Sequence, residues 1–236
     1  MPFSKETLNF LVENRLNDSR SWFHEHNKEY RSLVLQPLQE LVLSLTPAML
    51  EIDGEFITEP RVDKTISRIW RDTRYTHDPS LYRENMWIIF KRGRMHTTEF
   101  PGIYFEITPD GFGYGCGFYH ASTSYMNTLR KSILEGSPVF LTAQKAFSAQ
   151  DIYQIEGDLF KRPRYREYPD SLREWLERRN ISLNAESHDF ELLFSPGLSE
   201  KLIANLKLLA PMCRFLLETA LREQREGTAL ELLQRS

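Results

Sequence analysis

Apolar residues in the first part of the chain recur every three to four positions, which is the spacing of one helix face. Ser4 and Phe3 predict the start of a first helix, because serine caps free N–H groups and an apolar neighbour packs onto the first turn. A second, longer helix is predicted to be capped by Asn17-Asp18 and to kink or restart at Pro37. Its apolar face comprises Trp22, Phe23, Tyr30, Leu33, Val34, Leu38, Leu41, Val42 and Leu45.

From Met86 the pattern changes to short apolar runs separated by turn residues, which indicates strands. Pro109-Asp110-Gly111 is a strong signal for a hairpin turn between two of these runs. The predicted strands are 86–90, 102–108, 112–119 and 152–160, with a further β-prone stretch at 181–183.

Helical signals return after the hairpin. Ser122 or Thr123 caps a predicted helix that ends at Gly136, and Ser137-Pro138 opens the next with a cap and a first-turn proline. The last long helix is predicted to begin at Ser195-Pro196 and to kink at Pro211. Between them, a short helix is predicted around Leu172, Trp175 and Leu176.

Helices at both ends with a mainly antiparallel central sheet predict the α+β class. We expect one domain over residues 1–236, without internal repeats or linkers. Its parts are an N-terminal helical pair at about 4–47, a sheet-containing core at about 57–190 and a C-terminal helix at about 196–225.

The overall charge argues against non-specific binding of nucleic acid. The net charge is −3, so the chain lacks the global positive field that drives non-specific nucleic-acid binding. Cys116 and Cys213 are far apart in sequence and favour a reducing compartment. Without a signal-peptide pattern or an apolar run of membrane-spanning length, we expect a cytoplasmic protein with neither membrane nor nucleic acid as partner.

The segment 68–83 concentrates the candidate chemistry, since its arginines immediately precede the buried strand predicted at 86–90. Arginine is best suited to two-pronged recognition of phosphate or carboxylate. Under a binding hypothesis, Asp72 orients one guanidinium and the others bind an anion. The candidate ligand-binding residues are Arg68, Arg71, Arg74, Tyr82 and Arg83, with Lys161 and Arg162 at the rim.

The same residues fit a structural alternative. Asp72, Asp78 and Glu84 can neutralise the arginines in an internal ionic network, and such networks imitate functional sites. As the one acid–base candidate, Asp72 is a poor general acid, because neighbouring arginines lower the pKa of a carboxylate.

The strand predicted at 112–119 alternates aromatic residues with glycines. Gly113, Gly115 and Gly117 leave one face bare, which indicates that another group approaches the backbone closely. That group is either a flat ligand or, more commonly, an aromatic ring or a helix backbone of the same chain, such as Trp22 or Trp87.

A second basic segment follows the strand predicted at 152–160 and contains Lys161, Arg162, Arg164 and Arg166. It fits the rim of the anion site, a nucleic-acid patch with Tyr165 and Tyr168 stacking on bases, or a solvated loop, which is the commonest case. The histidines have no metal-ligand spacing, and no nucleophile, phosphate-loop or cofactor motif is present, so neither a metal nor a cofactor is expected.

Several of these motifs together resemble a family known as a domain of unknown function, DUF2461. They are Trp22-Phe23 with Asn27 and Tyr30, Arg68-Ile-Trp-Arg71-Asp72-Thr-Arg74-Tyr75, Tyr82-Arg83, Arg130, and Gly157-Asp-Leu-Phe-Lys161-Arg162-Pro163. The chain departs from the family pattern at Leu81, where proline is usual, at Arg83, where lysine is commoner, and after Pro163. The resemblance implies a single α+β domain without an assigned reaction.

Two functional hypotheses of different classes follow. The first is binding of an anionic small molecule, bearing phosphate or carboxylate, in an arginine-rich pocket. The second is a non-catalytic interaction module whose arginine and aspartate network is structural. A phosphoester-directed enzyme is a further alternative, since guanidinium groups stabilise developing negative charge, and whether the protein is an enzyme is left open.

Overall fold

A computed structural model describes residues 3–73 and 78–235, with side chains described up to residue 229. It contains helices at both ends of the chain and a five-stranded antiparallel sheet in the order β1-β2-β3-β5-β4, so the predicted α+β class is confirmed. The strands are β1 (Met86–Lys91), β2 (Gly102–Thr108), β3 (Gly111–Gly117), β4 (Gln154–Glu156) and β5 (Ser182–Ser187).

The helices fall into an N-terminal, a middle and a C-terminal group. The first group is α1 (Lys5–Asn17), α2 (Arg20–Glu25), α3 (Asn27–Glu29), a π-helix (Tyr30–Leu35) and α4 (Gln36–Ile52). The others are α5 (Thr123–Leu134), α6 (Pro138–Ser148), α7 (Asp170–Leu176), α8 (Phe190–Leu193), α9 (Leu198–Leu208) and α10 (Ala210–Arg235).

Local signals located most of these elements correctly, with two corrections. The strand predicted at 152–160 is much shorter, because only 154–156 pairs with β5 before Gly157 turns the chain. The second helix is capped by Ser19, whose hydroxyl accepts the N–H of Trp22, and not by Asn17-Asp18. Asp18 instead ends α1 in a left-handed conformation, with φ of 43°.

The predicted restart at Pro37 is confirmed and takes the form of the π-helix. Pro37 has no N–H to donate to the carbonyl of Leu33, so an ordinary helical turn would leave that oxygen without its usual partner. The hydroxyl of Thr7 in α1 donates to this carbonyl at 2.7 Å. The chain therefore adopts the wider turn, in which the N–H of Gln36 donates to the carbonyl of Arg31.

The chain divides into two compact units. Unit 1 comprises Met1–Phe90, Tyr104–Tyr114 and Glu186–Ala204, and its buried core includes Phe3, Leu11, Val34, Leu38 and Phe105. Unit 2 comprises Lys91–Ile103, Gly115–Ala185 and Asn205–Ser236. Its core is centred on Trp175, which is fully buried and meets the ring of Phe140 edge-on at 5.6 Å. The single domain over 1–236 stays a prediction.

The helical stretch Asn27–Ile52 is long and apolar enough to cross a membrane, judged by length and composition alone. A core helix of a soluble protein passes the same test. Val34, Leu38 and Val42 within it are fully buried in the protein, as expected of a core helix.

Candidate functional site

Residues 65–67 of unit 1 pair with β1, and the arginine-rich segment follows them directly. The N–H of Ser67 donates to the carbonyl of Trp87 at 2.9 Å, and that of Ile89 donates to Thr65 at 2.8 Å. The chain then turns back on itself, since the N–H of Arg71 donates to Leu81 at 2.8 Å. Side chains of an extended segment alternate between faces, so its arginines meet different partners.

Asp78 is the carboxylate at the centre of the cluster. Its Oδ2 lies 3.1 Å from Arg71 Nη2 and 3.3 Å from Nη2 of Arg15, so two guanidinium groups share one carboxylate. The pKa of Asp78 is lowered, first by hydrogen bonds from the hydroxyl and N–H of Ser80 and then by the two arginines. Its stabilising contribution is therefore present above the usual pKa of aspartate and is lost as pH falls through the lowered value.

Asp18, at the end of α1, binds the backbone at residues 81–82, where the chain runs back alongside residues 69–71. Its Oδ1 accepts the N–H of Leu81 at 2.7 Å and the N–H of Tyr82 at 3.2 Å. The sequence interpretation missed both Asp18 and Arg15 as parts of this cluster, because their partners lie more than sixty residues further along the chain. The only local signal was the capping preference of Asp18. The sequence pattern predicted this cap at the start of the second helix, whereas Asp18 follows the end of α1.

The remaining predicted site residues lie apart from Asp78 or already have partners. Nε of Arg68 is 2.5 Å from Oδ1 of Asp63, and both side chains are exposed. The guanidinium of Arg83 stacks over the ring of Trp87 at 4.7 Å. Asp72 is exposed and raises the pKa of Arg68 electrostatically, although Asp63 has the larger effect. Arg74 lies outside the described residues.

Three side chains around Asp18 and Asp78 contain buried polar atoms without a hydrogen-bond partner among the described residues. They are Nε of Arg71, the hydroxyl of Tyr82, and both Oδ1 and Nδ2 of Asn14 in α1. Buried polar atoms are normally satisfied by protein, water or ligand, so each of these requires an explanation. Tyr82 is fully buried against Trp70 and Phe23, and burial raises its pKa to about 12.

We expect Tyr82→Phe to raise the free energy of unfolding by about 1 kcal/mol, because it removes an unpartnered buried hydroxyl. Tyr125→Phe is the matched control, since the equally buried hydroxyl of Tyr125 donates to the carbonyl of Leu216 at 3.0 Å. That change is expected to lower the free energy by about 1 kcal/mol. Urea denaturation measures both, and an equal loss in both variants would contradict the expectation.

Lys161 and Arg162 belong to unit 2, where both are exposed. That they share one binding site with the arginines of unit 1 stays a prediction. Near them, Arg130 is buried, and its guanidinium donates to the carbonyls of Leu176 and Arg178 at the end of α7. Burial lowers the pKa of Arg130.

The bare face of the glycine-rich strand lies against β5. A Cβ at Gly115 would collide with the carbonyl oxygen of Leu183, and one at Gly117 would lie 2.6 Å from Cα of Ser182. The nearest atoms to these two glycines are therefore protein backbone, which leaves no room for a flat ligand there. Gly117 also has φ of +141°, which side chains disfavour.

The chemistry of the rest of the described chain is sparse. Among residues 3–73 and 78–235, no group of three histidine, cysteine, aspartate or glutamate side chains is placed to hold a metal ion. One shallow cavity of unit 1, of about 370 Å³, is lined by Lys5, Leu8, Asn9, Val12, Pro109, Phe190 and Phe194. Another, of about 240 Å³, lies between α4 and residues 195–199, and neither is lined by an arginine.

Comparison with known proteins gives one match. A family model described as conserved hypothetical protein (DUF2461) matches residues 6–215, which is most of the 236-residue chain. No curated protein and no solved structure shows significant similarity to the chain.

Proposed function

The chain belongs to the DUF2461 family of conserved hypothetical proteins, and from that premise we propose that it binds an anionic small molecule bearing phosphate or carboxylate. Arg71 and Arg15 of unit 1 are the primary ligand-binding residues of this proposal. The family description assigns no reaction, so the proposal rests on the side chains alone.

The observation that carries the proposal is the incomplete use of two neighbouring guanidinium groups. A guanidinium has five N–H donors. Asp78 contacts only one nitrogen of Arg71, Nη2, and only one nitrogen of Arg15, also Nη2. Nε of Arg71 is buried without a partner among the described residues. Both side chains are only partly exposed, at 26% for Arg71 and 30% for Arg15, so an anion would bind in a partly desolvated setting.

The guanidinium donors that have no partner among the described residues match phosphate and carboxylate, which accept parallel N–H bonds from arginine. In this proposal Asp78 remains in place and holds the two guanidinium groups in orientation. Arg68 and Arg83 are secondary candidates at the rim, and Arg74, Lys161 and Arg162 stay predictions. Tyr82 is fully buried, so a hydrogen bond from its hydroxyl requires the ligand to reach beneath Trp70.

The experiment is a thermal-shift titration with inorganic phosphate, pyrophosphate and phosphorylated metabolites, against sodium chloride at equal ionic strength. A ligand present well above its dissociation constant is expected to raise the melting temperature by about 5 °C or more. Arg71→Gln is expected to abolish this rise while the variant still unfolds cooperatively.

The matched control is Arg61→Gln, which replaces an exposed arginine of the same unit that pairs with Glu59 at 2.8 Å. This variant is expected to keep the full rise in melting temperature. The proposal fails if no phosphate or carboxylate compound raises the melting temperature more than sodium chloride does, or if both variants lose the effect equally.

A second candidate function is an interaction module whose arginine network is structural. Two observations favour it: Arg68 and Arg71 each have a carboxylate partner, and the two cavities described above lie away from both. Under this reading, Arg71→Gln destabilises the protein and no anion stabilises it. A phosphoester-directed enzyme using exposed Asp72 is the remaining alternative, and turnover of a phosphorylated compound found in the screen would support it.

A cytoplasmic location belongs to the same proposal. Cys116 and Cys213 are both buried, and among the described residues neither forms a disulfide, which suits a reducing compartment.

A further inference from the structure

The second basic segment, residues 161–166 of unit 2, is exposed yet held in place by a buried carboxylate. Glu177 is only 7% exposed, and its side chain accepts the backbone N–H groups of Arg164 and Tyr165, each at 2.8 Å. Burying a carboxylate costs free energy unless hydrogen bonds compensate it, and here they come from the loop itself. The backbone of the loop is therefore held by specific hydrogen bonds to Glu177.

Stacking on the ring of Phe160 also holds the side chain of Arg164 in this segment. The guanidinium of Arg164 lies 4.0 Å from the centre of that ring, and the guanidinium of buried Arg130 lies 4.9 Å from it. The segment itself carries four cationic side chains and no acidic one. Preorganised side chains lose less conformational entropy when they bind, so a rigid basic loop is suited to recognition.

Tyr119 is the second component of this surface. Its side chain is fully exposed, whereas its carbonyl accepts a hydrogen bond from Nδ2 of Asn180 at 3.0 Å. Oδ1 of Asn180 accepts the N–H of Ala121 at 2.8 Å, so the turn is fixed on both sides of the ring. A single exposed aromatic ring is ordinary on a protein surface. Tyr119 matters here because its ring is held on a fixed turn and offers a face on which a base can stack.

Residues 177–180 connect the two components. Glu177 contacts the basic segment at one end of this run, and Asn180 contacts the Tyr119 turn at the other. The run is three residue steps long, or roughly 10 Å in extended conformation. Glu177 and Asn180, which anchor the two components, therefore lie no more than about 10 Å apart, a spacing that one short extended ligand can span.

We infer that the surface formed by Tyr119, Lys161, Arg162, Arg164 and Arg166 binds single-stranded nucleic acid. Cations that follow a phosphate backbone, combined with aromatic rings on which bases stack, are the two components of such sites. Half-buried Tyr165, whose ring centre is 6.2 Å from that of Tyr168, adds aromatic surface beside the cations. An acidic peptide would use the cations but would have no need of an isolated, fully exposed ring.

This inference departs from the expectation drawn from net charge. The value of −3 describes the whole chain, whereas a strand of nucleic acid responds to the local field within about 10 Å at moderate salt. Residues 161–166 contribute four positive charges and no negative one, so this stretch is locally positive although exposed Glu167 follows it directly.

The test is fluorescence anisotropy with labelled oligothymidylate and oligouridylate of about 12 nucleotides at about 50 mM salt. We expect saturable binding that weakens as salt is raised. Tyr119→Ala is expected to weaken binding about tenfold through lost stacking, and Tyr119→Phe to retain it, because the ring and not the hydroxyl stacks on the base. Circular dichroism confirms that each variant is folded.

A charge series completes the test. The double variant Arg162→Gln, Arg166→Gln is expected to weaken binding and to reduce the slope of log K against log salt by about 1.4. Arg94→Gln, an exposed arginine elsewhere in unit 2, is expected to change neither. The inference is overturned if the oligonucleotides do not bind saturably, or if Arg94→Gln weakens their binding as much as the double variant does. It is also overturned if polyglutamate binds more strongly than the oligonucleotides and Tyr119→Ala leaves that binding unchanged. That last result would assign the surface to a protein partner.

Discussion

Gly115→Ala is expected to lower the free energy of unfolding by about 3 kcal/mol or more. The new methyl group would collide with the carbonyl oxygen of Leu183, with Oδ1 and Cα of Asn184 close by. A carbonyl oxygen in the backbone of β5 cannot rotate away as the end of a long side chain can. The β3–β5 pairing must therefore separate locally, which breaks ladder hydrogen bonds in the centre of the sheet.

Urea denaturation followed by circular dichroism measures this loss. Gly54→Ala is the matched control, because a Cβ at that position meets nothing within 4 Å and the backbone is not left-handed. Its stability is expected to stay the same or to rise by a few tenths of a kcal/mol. A Gly115→Ala protein as stable as the control would show that β3 and β5 are not in close contact in solution.

Arg130→Met is expected to lower the free energy of unfolding by about 3 kcal/mol. The change keeps a long apolar side chain but removes the donors for the carbonyl of Leu176, the last residue of α7, and for that of Arg178, two residues beyond it. Carbonyl groups at a helix end require partners, and Arg130 supplies them from a position that is only 6% exposed. Removing the buried charge also removes its desolvation penalty. The net loss of stability is therefore smaller than the summed cost of leaving two buried carbonyls without a donor.

Arg178→Met provides the comparison. Arg178 also donates to carbonyls, to Gly157 at 2.8 Å and to Glu174 at 3.4 Å, but its side chain is half-buried and water can replace it. We expect a loss of less than about 1 kcal/mol there. Similar losses in both variants, measured by urea denaturation, would mean that water also reaches the end of α7 beneath Arg130.

Local chemistry in the sequence was enough to locate much of the fold. Ser122 does cap α5, Pro138 does occupy the first turn of α6, and the turn after Thr108 does join β2 to β3. These features depend on a few neighbouring residues, whose preferences act before any distant contact forms. The α+β class followed from the order of such elements alone.

The candidate site was predicted less completely. The sequence predicted arginines directly before β1, and Arg83 does stack on Trp87 of that strand, but no local pattern named the carboxylates that pair with the other arginines. Asp63 pairs with Arg68, and Asp78 is shared between Arg71 and Arg15 from α1, a residue that no local pattern connects to the segment. The bare glycine face predicted a close neighbour from the same chain, but that neighbour is the backbone of strand β5 and neither an aromatic ring nor a helix.

The sequence by itself determined where most helices and strands begin, because caps, prolines and turn residues act over a few bonds. The tertiary structure alone decided which charges meet, since an ion pair depends on distances set by the packing of segments remote along the chain. Asp18 shows the difference: the sequence predicted it to cap the second helix, whereas in the folded chain it ends α1 and its carboxylate accepts the N–H groups of Leu81 and Tyr82.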